Sequence, residues 1–274
     1  MRIFICVLFG LSVAHADCAP ASSDLDQAYR SMYNLDFPNA LRQSENWQKQ
    51  YPADPLGPVS EAASYLFSEL SRLGSLHSQL FVDDQRFESR HKLVPDAQTK
   101  ASFESAIQRA LRLAENELRA DPRSANAMFS NTLAYGLKAD YAALIQKSDV
   151  QALAYTKQGR RWAQSAIAAD PACYDAYLAL GVENYLLGVK PLLFRAFLRL
   201  GGAHVDKEQG IQQLQVTAEK GRFLQPFAKL LLAVAALRDR DYSRAHTLLQ
   251  ELKDEFPGNP LYGQELARLV SKSP

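Results

Sequence analysis

One pattern of acidic, aromatic, small and proline residues occurs twice in this chain, 205 residues apart, with every matching position in register. The first copy runs Asp36, Phe37, Ala40, Tyr51, Pro52, Asp54, Pro55, and the second runs Asp241, Tyr242, Ala245, Phe256, Pro257, Asn259, Pro260. Two partial copies lie between them. Ala120-Asp121-Pro122 and Ala169-Asp170-Pro171 each close one helical run and open another, in the manner of Asp54-Pro55 and Asn259-Pro260. The residue types divide the work of a helical hairpin. A small residue early in a helix lets a neighbour approach, and a bulky one further along fills the gap. Proline disfavours helical geometry in the residue before it yet tolerates the first turn of the next helix, where Asp or Asn accepts from free N–H groups. The expected fold is all-α, a single domain over residues 17–274 built of stacked antiparallel helical hairpins.

These residues resemble the tetratricopeptide repeat (TPR) family, whose repeat of about 34 residues pairs two antiparallel helices. Counted from Pro171, Tyr177, Leu180 and Gly181 take the family's first-helix positions, and Ala163 and Ala166 take its second-helix slots. After Pro122 the same slots hold Met128, Asn131, Thr132 and Tyr135, a poorer match. The gaps between Pro55, Pro122, Pro171 and Pro260 are uneven, at 67, 49 and 89 residues, so degenerate repeats or inserted helices are expected to fill them. The resemblance covers most of residues 24–270 and implies an α-solenoid, a TPR-like superhelix. The run from Gly181 through Pro191 to Gly210 and on to Pro257 also looks like the C-terminal half of eukaryotic TPR proteins of the mitochondrial outer membrane and inclusion clearance.

The N-terminus reads as an export signal. Arg2, an apolar run from Ile3 to Val13, and Ala14-His15-Ala16 give a signal peptide over residues 1–16, cleaved before Asp17. The run is too short to span a bilayer, and Asp17 ahead of Cys18 argues against a lipid anchor. The expected location is periplasmic or secreted. Removing residues 1–16 leaves 30 basic and 30 acidic residues, a balance that gives no electrostatic footprint for nucleic acid. Of the cysteines, Cys18 and Cys173 remain, either paired in an oxidising compartment or independent.

Two stretches depart from the repeat. Residues 75–100 are polar, with Phe81, Phe87, His91 and Pro95 among charges, and read as an insertion. Residues 188–202 form an apolar run in which Arg195 and Arg199 share one helical face. A buried helix with a wet edge is favoured there over membrane contact.

No reacting centre assembles in the sequence. There is no phosphate loop, no paired histidines at metal spacing and no nucleophile elbow. His77, His91, His204 and His246 are scattered, and Glu183, on an apolar helix, is expected to pair with an Arg or Lys. No enzymatic activity, cofactor or metal is expected. What remains is recognition of a protein or peptide, on the concave face that first helices line in such arrays. The candidate groove residues are Asn126, Phe129, Asn131, Tyr135, Tyr174, Tyr177, Asn184 and Tyr185, because Asn clamps peptide backbone and Tyr supplies area with a hydroxyl. Replacing Asn131 or Asn184 by Ala is accordingly expected to leave stability nearly intact. The function implied is a scaffold or adaptor of the cell envelope, the alternative being a periplasmic small-ligand or solute-transport accessory. An open groove with Asn and Tyr points to the first, a tightly closed superhelix around an apolar cavity to the second.

Overall fold

The turn between successive hairpins recurs four times with the same backbone. In the computed structural model, which describes residue 18 and residues 23–76, 91–188 and 206–270, eleven α-helices and no strand are found among the described residues. They are α1 (Ser23–Tyr33), α2 (Phe37–Gln50), α3 (Leu56–Arg72), α4 (Ala97–Ala120), α5 (Ala125–Asp140), α6 (Asp149–Ala169), α7 (Tyr177–Gly188), α8 (Lys207–Lys220), α9 (Gln225–Arg238), α10 (Tyr242–Glu255) and α11 (Pro260–Val270). A π-helical turn, Tyr141–Ile145, follows α5, and a 3-10 turn, Tyr174–Ala176, precedes α7. Each helix packs against the next along the chain. Residues 1–16, 77–90 and 189–205 lie outside the described residues, and with them the signal peptide, most of the polar insertion and the Arg195/Arg199 run.

The recurring turn closes α2, α4, α6 and α10. Its last residue donates its N–H to the carbonyl three residues back, Asp54 to Tyr51 (3.1 Å), Ser124 to Asp121 (3.1 Å), Cys173 to Asp170 (3.0 Å) and Asn259 to Phe256 (3.1 Å). This corrects the register read from the sequence. Asp121-Pro122 and Asp170-Pro171 stand where Tyr51-Pro52 and Phe256-Pro257 stand, not where Asp54-Pro55 and Asn259-Pro260 do. The physical reason is that an Asx turn fits at either end of the motif. Asp121 and Asp170 accept from Arg123 and Ala172 at its start (3.0 and 2.9 Å), whereas Asp54 and Asn259 accept from Leu56 and Leu261 at its end (2.9 and 3.0 Å).

Within hairpins, the two full copies of the pattern superpose in detail. Asp36 and Asp241 cap α2 and α10 by accepting from Asn39 and Arg244 (3.2 and 3.0 Å). Ahead of them Leu35 and Arg240 turn left-handed, with φ of 62° and 61°. Neither is glycine, so the sequence carried no sign of this turn. Where α7 crosses α8 two glycines do the work of close approach. A Cβ on Gly210 would stand 2.5 Å from the Tyr185 backbone nitrogen, and one on Gly181 would stand 2.9 Å from the Leu214 side chain.

The uneven proline spacing has its cause in the connections. The links between α3 and α4 and between α7 and α8 are long, α5 and α6 are separated by the π turn, and α9–α10 is compact. Among the described residues, the stretch from Pro171 to Pro257 holds two hairpins, joined by a turn at Gly221–Leu224 that lacks the proline.

The first hairpin also packs against the last. Tyr33 stacks at a tilt on Phe256 (5.4 Å between ring centroids), the Asn259 side chain donates to the Tyr33 carbonyl (2.9 Å), and the Gly258 N–H donates to Asn34 (2.9 Å). Further in, Tyr29 stacks on Phe223 (4.8 Å), Phe223 faces Phe129 (6.5 Å), and Phe67 meets Phe227 edge-on (6.0 Å). These rings link α1, α3 and α5 to α9 and the turn before it. Burial holds the Tyr29 and Tyr33 hydroxyls well above the ordinary tyrosine range.

Ala40 and Ala245 are fully buried at the start of α2 and α10. Enlarging either to Leu is expected to destabilise the protein by about 1–3 kcal/mol through overpacking. Urea denaturation of both variants checks this, and unchanged midpoints would remove the small-residue role from the repeat.

Candidate functional site: a basic trough between two helices

The residues expected to line a concave groove divide between interior and surface. Phe129, Asn131, Asn184 and Tyr185 are buried, which corrects their reading as side chains not needed for packing. Asn184 donates its amide to Gln213 (2.8 Å), tying α7 to α8. Asn126 is half-buried and donates to Asp54 (3.1 Å), linking α5 to the preceding turn. Tyr135, Tyr174 and Tyr177 are half-buried. Tyr135 lies 6.4 Å from Tyr155, with the Lys138 ammonium over both rings at 5.2 and 4.3 Å. Asn184→Ala is expected to cost about 1–2 kcal/mol and not to be neutral, because it removes a buried side chain and its hydrogen bond to Gln213. Thermal or urea unfolding reads the difference.

Phe129 and Tyr174 share a second location, a crevice of about 230 Å³ where Cys18, Asp175, Lys220 and Phe223 also meet. Cys18 and Cys173 form a disulfide there, with Cα atoms 4.9 Å apart. Asp175 is buried, and its carboxylate accepts three consecutive backbone N–H groups, from Arg222, Phe223 and Leu224, each at 3.0 Å. These are donors of the turn that leads into α9, whose N-cap residue is Leu224. Arg222 reaches back to Asp26 on α1 through two bonds of 2.7 and 2.8 Å, and the Lys220 ammonium lies over the Tyr174 ring at 5.3 Å.

Glu183 pairs with Arg160 at 3.2 Å in the interior, the pairing expected from its apolar helix. Burial pushes the Asp140 carboxyl up to about 7. A carboxyl near neutrality can exchange a proton at physiological pH, but no described side chain hydrogen-bonds to it, so no second group completes a reacting pair. Among the described residues no cluster of His, Cys, Asp and Glu has the makings of a metal site.

A second, more open depression is a trough of about 510 Å³ between α2 and α4. Helical spacing builds its wall. Arg109, Arg112, Asn116 and Arg119 follow at intervals that keep them on one face of α4, with Leu113 between them. Gln48 and Pro52 form the opposite side. Glu61, buried on α3, ties both sides together by accepting from Gln48 (2.8 Å) and pairing with Arg109. Arg119 pairs with Glu115 at 2.5 Å. Arg112 is exposed and has no ion-pair partner among the described residues. The stripe was present in the sequence at helical spacing. The overall balance of charge concealed it, since net charge reports nothing about which face carries it.

No protein-family model matches this sequence, and no curated protein matches it either.

Proposed function

We propose that this chain is an exported, non-catalytic helical-repeat protein of the tetratricopeptide type, an adaptor of the cell envelope that holds a segment of a partner protein. One observation carries the reading. The trough between α2 and α4 is open to solvent, walled by two helices and lined by long hydrogen-bonding side chains, a form that suits a length of polypeptide better than an enclosed small molecule. The recurring proline turns and the pairing of neighbouring helices support the repeat type. The Cys18–Cys173 disulfide supports an oxidising compartment, as an exported chain would meet.

A small-ligand role is the second reading, and the crevice of about 230 Å³ beside the disulfide favours it. Site-specific photocrosslinking separates the two. A photoreactive residue is placed at Asn116 in the trough and, as control, at His246, exposed on α10, and the protein is crosslinked in intact cells that naturally make it. A discrete protein adduct at position 116 alone is the expected result. No protein adduct there, with a metabolite retained by the native protein in mass spectrometry, would move the function to the second reading.

A further inference from the structure

We infer that the trough between α2 and α4 selects an acidic segment, one whose carboxylates are read by Arg112 with Arg109 and Arg119 on either side. This deepens the partner-binding reading above and rests on it. Three guanidinium groups line the trough against one carboxylate, that of Glu115. The two outer arginines are already held by Glu61 and Glu115, so their planes are oriented before a partner arrives. Arg112 stands between them, exposed and with no ion-pair partner among the described residues. Guanidinium is the side-chain group whose fork matches a carboxylate in two parallel hydrogen bonds.

The dimensions set the length of the occupant. At 1.5 Å per residue, Arg109 and Arg119 are separated by about 15 Å along the α4 axis. An extended chain rises about 3.3 Å per residue, so roughly five residues cover the stripe, and side chains at alternate positions face the same wall. Acidic residues at alternating positions present their carboxylates to the arginine wall, within the reach of long and flexible side chains, while Leu113, Pro52 and Asn116 remain for the backbone and smaller side chains. A nucleic-acid strand is the poorer fit. Its charge is continuous and calls for an extended basic surface, whereas Glu115 interrupts this stripe and the trough holds no aromatic ring for a base to stack on.

The test is a fluorescence-anisotropy titration of the purified mature protein with three labelled probes. One is a ten-residue peptide alternating Glu with Ala and Ser, one is the same peptide with Lys for Glu, and one is a ten-nucleotide single strand. The acidic peptide is expected to bind, more weakly as salt rises, and the other two are not. Arg112→Glu is expected to weaken its binding by about tenfold or more. Arg244→Glu, the same charge change at an exposed site on α10, is expected to leave it unaltered. Circular dichroism verifies that both variants fold, as their exposed positions predict. Equal binding of the Lys peptide, tighter binding of the oligonucleotide, or equal loss in the two variants would overturn the inference. Photocrosslinking at Asn116 in the Arg112→Glu background distinguishes the levels. An undiminished protein adduct refutes acidic selection while the partner reading stands, and the absence of an adduct in the unaltered protein refutes the partner reading itself.

Discussion

Asp175→Ala is expected to lower the free energy of unfolding by about 3–5 kcal/mol, the range for removing one member of a buried charged network. The side chain accepts from the Arg222, Phe223 and Leu224 N–H groups at 3.0 Å each. Phe223 is buried against Tyr29 and Phe129, and the Tyr33 hydroxyl donates to its carbonyl at 2.9 Å. Truncation would leave donors of the turn before α9 without acceptors, each costing about 1–3 kcal/mol when buried. Asp175→Asn retains an oxygen acceptor but turns an NH₂ toward the same donors, and should fall between the two. Urea denaturation of the three proteins gives the order. Equal midpoints would mean that the turn draws nothing from the carboxylate.

Cys18→Ala with Cys173→Ala is expected to cost about 2–5 kcal/mol, the range for losing a native disulfide. The bridge closes a loop of 155 residues, and long loops restrict the unfolded chain most. Alanine is the replacement of choice because both positions are buried and serine would strand a hydroxyl. Reducing the unaltered protein should reproduce the shift, and reductant should leave the double variant unchanged. A midpoint indifferent to reductant would mean that the bridge contributes nothing measurable. Both predictions concern one place, since Cys173 and Asp175 flank Tyr174 between α6 and α7, and the two together secure α1, α7 and α9.

Much of this arrangement was legible beforehand because local rules govern it. The burial of Ala40 and Ala245 followed from residue type and spacing. The partner of Glu183 followed from the cost of burying a lone carboxylate. The candidate groove was less legible. Asn131, Asn184 and Tyr185 carry polar atoms, which suggests a wet face, yet α8 crosses α7 closely enough at Gly181 and Gly210 to bury the Asn184 and Tyr185 side chains. Nothing local to α7 announces that approach. The role of Asp175 was hidden for the same reason, its three donors lying 47, 48 and 49 positions downstream. Periodicity tells which side of a helix is apolar, but only the tertiary fold tells which polar side chains are closed in with it.

The meeting of the first hairpin with the last alters how the molecule comes apart and together. In an open array of repeats, removing the terminal unit exposes one interface and the rest persists. Here Tyr33 finds partners 190 and 226 positions away, at Phe223 and Asn259, so deleting α10 and α11 would uncover both ends at once. Unfolding is then expected as one cooperative event rather than a fraying from either terminus. A ribosome releases α1 long before α10, so the aromatic face of the nascent first hairpin must wait uncovered until nearly the whole chain has been made.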